Sequence, residues 1–153
     1  MQYTTEEIAK SISESFKSNA AYSARKKIWE YYDPENAAFE KIMLRKNWRA
    51  TLRILQSLEE SDFLSYYSMF PLMTVQALVH FLPAFMIVSL APNADKFRDF
   101  LADMLIPDPN GHNSPWFIHL LKLLDSEQKK SVAMFVCWMF GDDTKTCQFW
   151  SAW

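Results

Sequence analysis

The sequence predicts an all-α protein: one domain over residues 1–153, built from about six to eight helices of ordinary length. Three observations carry that prediction. First, Phe63 to Ala94 are 32 consecutive residues without Asp, Glu, Lys or Arg, in a chain that is 22% charged, so this run marks the centre of the core. Second, there are only two glycines, Gly111 and Gly141. Tight two-residue hairpins and phosphate-cradling loops both favour glycine, which weighs against strands and nucleotide fingerprints. Third, helix-start signals recur along the chain, at Thr4-x-x-Glu7, Asp33-Pro34-Glu35, Thr74, Asn93 and Asp125-x-x-Gln128.

Taken in order, the Thr4 and Glu7 capping box opens a helix whose apolar stripe is Ile8, Ile12 and Phe16, ending near Ser18. Residues 19–33 are irregular, with Ile28, Trp29, Tyr31 and Tyr32 folding onto the domain. Asp33 at the N-cap, Pro34 at N1 and Glu35 in the first turn start a helix through Phe39, Ile42 and Met43 to about Arg45. Asn47-Trp48 either breaks it or leads into a further helix through Leu52, Leu55 and Leu58. A short helix carries Phe63, Leu64 and Tyr67 and stops at Pro71. Thr74 caps the next, with Pro83 kinking it because proline removes one backbone bond and clashes with the preceding turn. Together these form a proline-kinked central hairpin. Asn93 caps a helix with Phe97, Phe100, Leu101, Met104 and Leu105 inward. The stretch 107–115 is rich in turn formers. Trp116–Leu124 is helical, and Asp125 and Gln128 open a last long helix that ends at Phe140 with Gly141 at C′. The tail 142–153 is too aromatic to be free and packs on the domain. Trp138 and Leu82 are expected to be buried.

The apolar run also tests for a membrane span. Met69–Ala91 is long enough, since roughly 20 apolar residues cross a bilayer, but it contains Pro71, Thr74, Gln76, His80, Pro83 and Ser89. Its flanks are acidic, with Glu59, Glu60, Asp62 and Asp95, where a cytoplasmic flank carries Lys or Arg. A buried hairpin fits better. The N-terminus, MQYTTEEIAKS, has early acids and no apolar segment and is not read as a signal peptide. Cys137 and Cys147 fit free thiols in a reducing compartment, where a disulfide between them would be unusual. The expected location is cytoplasmic.

The candidate chemistry is sparse. His80, His112 and His119 show no metal-ligand spacing, and no motif for a cofactor is present, so no metal and no cofactor is expected. His80 sits in the apolar run as a buried, hydrogen-bonded histidine. Cys137 lies among apolar residues, where burial makes a thiol inert. No serine has the turn context of a nucleophile. No catalytic residue is assigned, and the protein is read as a non-enzyme.

Charge is distributed unevenly. Residues 24–53 hold eight basic and four acidic side chains, and Lys41, Arg45, Arg49 and Arg53 recur every four residues, which makes a basic ridge if one helix spans them. A net charge of −2 and a pI near 5.9 argue against nucleic acid as partner. From Glu59 onward there are eleven acids and six bases. Asp95, Asp99 and Asp103, at i, i+4 and i+8, form an acidic stripe suited to a basic protein partner.

The order of Trp48, Phe63-Leu-Ser-Tyr-Tyr, Val75-Gln-Ala-Leu-Val-His-Phe-Leu-Pro-Ala-Phe-Met and Leu124-Asp-Ser-Glu-Gln resembles a family of small bacterial helical proteins catalogued as a domain of unknown function. The resemblance runs from about Thr5 to Phe140. His80-Phe81 stands where the family pattern has Tyr-Tyr, and the tail after Gly141 is an addition to it. The resemblance supplies no catalytic residues. Small proteins of this kind are often immunity partners of secreted toxins, so it implies a toxin inhibitor acting by direct protein binding; the acidic stripe of Asp95, Asp99 and Asp103, chosen from spacing, is the docking face expected for it. Two other readings stay open: a small ligand-binding protein or enzyme with an aromatic pocket around Tyr66, Tyr67, His80 and Trp138, and a structural homodimer joined through Trp150 and Trp153.

Overall fold

A computed structural model describes residues 2–31, 34–59 and 73–153. Among them are eight α-helices: α1 (Thr5–Ser15), α2 (Ala37–Met43), α3 (Trp48–Gln56), α4 (Val75–Val88), α5 (Asp95–Leu105), α6 (Pro115–Leu123), α7 (Ser126–Phe140) and α8 (Lys145–Ser151). A 3-10 turn, Pro34–Asn36, precedes α2, and Trp29 and Met73 form an isolated bridge. The fold class is all-α. The expected short helix at Phe63–Tyr67, with its stop at Pro71, lies outside the described residues. So does Asp33. The chain divides into two compact units, Met1–Lys17 with Ala102–Trp153, and Ser18–Leu101.

In the first unit the helix ends are closed by neighbouring residues. Thr4 Oγ1 accepts from the Glu7 N–H at 3.2 Å, and Glu7 Oε2 accepts from the Thr4 N–H at 2.8 Å. The same reciprocal box links Asp125 and Gln128 at 2.8 and 3.0 Å. Ser114 and Thr144 cap α6 and α8, and Pro115 takes N1. Gly141, at φ +97, lets the chain turn out of α7, a conformation that side-chain-bearing residues rarely adopt. α1 packs on α7 through buried Ile8 and Ile12, and α7 packs on α8. The tail is therefore structured: Trp150 is fully buried and its indole N–H donates to the Leu105 carbonyl at 2.7 Å.

The second unit is organised around α4. This helix buries residues on every side, among them Leu78, Phe81, Leu82, Phe85 and Met86, and α3 packs along it. Leu82 is buried as expected. Trp138, in the first unit, is only half-buried, because the buried face of α7 is Val132, Ala133, Phe135, Val136 and Cys137. Thr74 caps α4, its Oγ1 accepting from the Ala77 N–H at 3.1 Å, and the helix runs on through Pro83 to Val88. Asn47 caps α3 with its side-chain oxygen on the Ala50 N–H at 2.8 Å. α5 starts one residue later than Asn93 would have placed it, since the first intrahelical bond goes to the Ala94 carbonyl.

The basic ridge does not form. α2 ends at Met43, Arg45 adopts φ +52, and α3 begins afresh at Trp48, so Lys41, Arg45, Arg49 and Arg53 do not share one helix. Two of them instead hold the irregular stretch before α2. Arg45 Nη1 donates to the carbonyls of Ser23 and Lys26 at 2.7 and 2.6 Å. Arg49 Nη1 donates to Asn19 Oδ1 at 2.6 Å and lies over the Trp48 ring.

Candidate functional site

The three expected partner-binding carboxylates are all solvent-exposed on α5. Their spacing of four puts them in a row along the helix. They are not equivalent. Asp95 pairs with Arg98, and Arg98 also donates to the carbonyls of Ser89 and Ala91 at 3.0 and 2.9 Å. Asp95 thus belongs to the turn that joins α4 to α5. Asp99 and Asp103 project from the middle and end of α5.

The residues of the expected aromatic pocket are not described together. Tyr66 and Tyr67 lie outside the described residues, His80 belongs to the second unit and Trp138 to the first. His80 is a structural group in its own unit. Its Nε2 lies 3.1 Å from the Lys46 carbonyl, which can only accept, so Nε2 carries the proton. The ring meets Tyr22 edge-on at 5.2 Å and Phe81 at 4.7 Å. Burial lowers its pKa, the Lys46 carbonyl opposes that, and the Lys26 charge adds to it. Tyr22, held up by burial against weaker effects of Thr74 and Arg45, donates its hydroxyl to the Lys27 carbonyl at 2.7 Å.

The cysteines depart from the free-thiol expectation. Cys137, in the last turn of α7, and Cys147, in the first turn of α8, form a disulfide with Cα atoms 4.7 Å apart. The pairing follows from geometry: Gly141 reverses the chain, Thr144 Oγ1 donates to the Gly141 carbonyl at 2.9 Å, and the two helix ends face each other within disulfide reach. Asp142 brings a carboxylate to the same place, so that the three ligand-type groups lie within 4.8 Å of one another. Ser151 Oγ is 3.6 Å from Cys137 Sγ and 3.9 Å from Cys147 Sγ. A cleft of about 310 Å³ opens beside this corner, lined by Tyr3, Lys130, Met134, Cys137, Ser151 and Trp153. Trp153 is half-exposed under the Lys129 ammonium, 4.1 Å from its ring, whereas Trp150 is buried within its own chain.

The sequence reading missed two clusters. One is Cys137, Asp142 and Cys147, whose spacing of Cys-x4-Asp-x4-Cys matches no common ligand motif. The other is a hydroxyl trio between α1 and α7, where buried Ser131 Oγ meets Ser11 Oγ at 2.7 Å and Ser15 Oγ at 2.8 Å and also donates to the Ser11 carbonyl at 3.0 Å. The trio satisfies polar groups inside a helix contact, and Ser11 and Ser15 at i, i+4 facing Ser131 were its only sequence signal.

These features belong to a helical domain with an exposed acidic helix and a disulfide-closed corner. The chain matches the profile of a family of unknown function (DUF6714) over residues 4–152 and is a member of it. The match includes the aromatic tail, which is part of the family's pattern and not an addition to it. No curated protein and no solved structure matches the chain. Among the described residues no helix is long and apolar enough to cross a membrane.

Proposed function

We propose that the protein is a bacterial immunity protein, a non-enzymatic inhibitor that neutralises a cognate toxin by direct binding. The observation that carries this reading is the exposed row of Asp95, Asp99 and Asp103 on α5. Fixed carboxylates on a helix give a basic partner a surface of complementary charge, which accelerates encounter and sets register more than it adds affinity. The partner is accordingly a protein with a basic face, as expected of a nuclease-like toxin whose own substrate is anionic. The reading places the protein in the cytoplasm, a reducing compartment in which the Cys137–Cys147 disulfide would be unusual.

The test is the association rate with the product of the neighbouring gene. Asp95 holds Arg98, so its reversal would disturb the α4–α5 turn, and the clean variant is Asp99→Lys with Asp103→Lys. That variant keeps its helix content and associates at least several-fold more slowly at low salt. The wild-type rate falls towards the variant's as salt rises, because exposed charges are screened over about 8 Å at physiological ionic strength. Unchanged association at low salt removes this face from the proposal. Absence of binding by the wild type removes the immunity reading itself.

A further inference from the structure

We propose that reduction of the Cys137–Cys147 disulfide opens a site for a thiophilic divalent cation of the zinc class, held by the two thiolates and the Asp142 carboxylate. The proposal is independent of the acidic helix and of any partner. Its basis is convergence. The two sulfurs and a carboxylate oxygen lie within 4.8 Å of one another, although four residues separate each from the next along the chain. A tetrahedral zinc ion with sulfur ligands at about 2.3 Å and a carboxylate oxygen at about 2.0–2.2 Å needs these atoms roughly 3.5–3.8 Å apart. Rotation of the two cysteine side chains and of an exposed Asp142 supplies that change while the backbone stays in place.

The backbone is held for this purpose. Cys137 is fixed by α7 and Cys147 by α8, whose packing continues into the fully buried Trp150. Between them Gly141 at φ +97 and the Thr144 to Gly141 hydrogen bond set the turn that carries Asp142. The donor set selects the metal: two soft thiolates favour zinc or cadmium over magnesium and calcium, and the carboxylate completes three protein ligands. Ser151 Oγ, already beside both sulfurs, donates to a thiolate as an outer-shell partner, and water from the adjoining cleft takes the fourth position. The cleft is also the path of entry, since Cys137 and Ser151 line it.

The chemistry balances. A dithiol gives the disulfide two electrons and two protons and becomes a disulfide itself; a phosphine gives the two electrons, while water gives the two protons and the oxygen of the phosphine oxide that forms. The S–S bond breaks to give two thiols. Metal binding then forms two S–metal bonds and releases both thiol protons to solvent.

The test uses the full chain. It is reduced with a water-soluble phosphine, freed of reductant without air, and titrated with Co²⁺ while near-ultraviolet thiolate-to-cobalt absorption is followed. The reduced protein is expected to bind one Co²⁺ with that absorption, Zn²⁺ is expected to displace it, and the oxidised protein is expected to bind none. Asp142→Ala, a change at an exposed position, weakens binding by roughly tenfold or more and retains the band. Cys147→Ser abolishes the band. The proposal fails if the reduced protein gives no thiolate absorption, if Asp142→Ala binds as tightly as wild type, or if the oxidised protein binds equally well. It also fails if circular dichroism shows that reduction unfolds α7 and α8, because the site needs both helix ends in place.

Discussion

The two units of this protein are secured by different kinds of interaction. In Met1–Lys17 with Ala102–Trp153, the restraints are mostly short-range. Thr4 and Glu7, Ser114 and Phe117, Asp125 and Gln128, and Thr144 and Cys147 each close a helix end across three residues. The disulfide closes a loop of similar locality, and in a chain-entropy picture a ring of that size restricts the unfolded chain by about 3 kcal/mol. In Ser18–Leu101 the irregular stretch before α2 has turn-scale bonds of its own, such as Ser23 Oγ on the Arg25 N–H and Tyr22 on the Lys27 carbonyl, but they are not its whole support. It is also held by side chains from far along the sequence: Arg45 on Ser23 and Lys26, Arg49 on Asn19, and Thr74, whose hydroxyl donates to the Lys27 carbonyl at 2.9 Å across 47 residues. Local closure needs only helix propensity to be in place first. Long-range closure also needs distant parts of the chain to be brought together, at the entropic cost of closing the loop between them.

The largest expected effect breaks the first unit at one of its long-range anchors, Trp150 on Leu105. Trp150→Ala removes a fully buried indole and is expected to cost on the order of 3–5 kcal/mol in chemical denaturation. Trp150→Phe keeps most of the volume and leaves the Leu105 carbonyl without its donor, at about 1–2 kcal/mol. A loss below about 0.5 kcal/mol for the alanine variant, as at a surface position, would show that the tail is peripheral to the unit.

That contrast also explains what was readable in the sequence. The capping boxes at Thr4 and Asp125, the Thr74 cap and Gly141 at the end of α7 were all legible, because each signal is contained within a few residues. The all-α class followed from them and from the uncharged run. Leu82 was placed correctly since α4 buries most of its residues, whereas Trp138 was not, since an aromatic in an apolar run does not reveal which face of α7 meets a neighbour. The arginines looked like a ridge because their spacing was helical. What the spacing could not show is that Arg45 sits at φ +52 in a break, where it serves carbonyls 19 and 22 residues away. The disulfide was discounted on compartment grounds, yet the local geometry of α7, Gly141 and α8 brings the sulfurs together. For the candidate site, exposure of Asp95, Asp99 and Asp103 was foreseen, but the Asp95 bond to Arg98 was not weighed, and Asp142 was not connected to the cysteines.

A middle-sized effect tests the long-range staples directly. Arg45→Met keeps the aliphatic stem and removes the two hydrogen bonds to carbonyls together with the guanidinium over the Tyr22 ring. Bonds from a charged donor are the stronger kind, but these are partly exposed, so a loss of about 1–2 kcal/mol is expected. Limited proteolysis supplies the regional readout: cleavage within 18–31 should accelerate in Arg45→Met, while cleavage near α7 and α8 stays at the wild-type rate. Equal acceleration in both places would erase the distinction between the two units.

The smallest effect is a pH dependence that belongs to the second unit. His80 donates from Nε2 to the Lys46 carbonyl, so acidification places the additional proton on Nδ1, beside the Tyr22 and Phe81 rings. Burial, followed by the nearby Lys26 charge, disfavours that cation, and the folded-state pKa falls below the usual histidine value despite the Lys46 carbonyl. The sign follows from linkage. The unfolded chain takes up the proton near pH 6.5, before the folded protein does, so stability is fully present above that pH and is lost as pH falls below it towards the folded pKa. Comparing urea midpoints at pH 7.5 and 5.5 keeps clear of ordinary carboxylates, which titrate lower, near pH 4, and a variant at position 80 separates this histidine from the others. Wild type should lose a modest part of its stability over that interval, and His80→Gln, which retains an amide donor towards Lys46, should lose less. An equal decline in both proteins would assign the pH dependence to other groups and leave His80 as a packing residue alone.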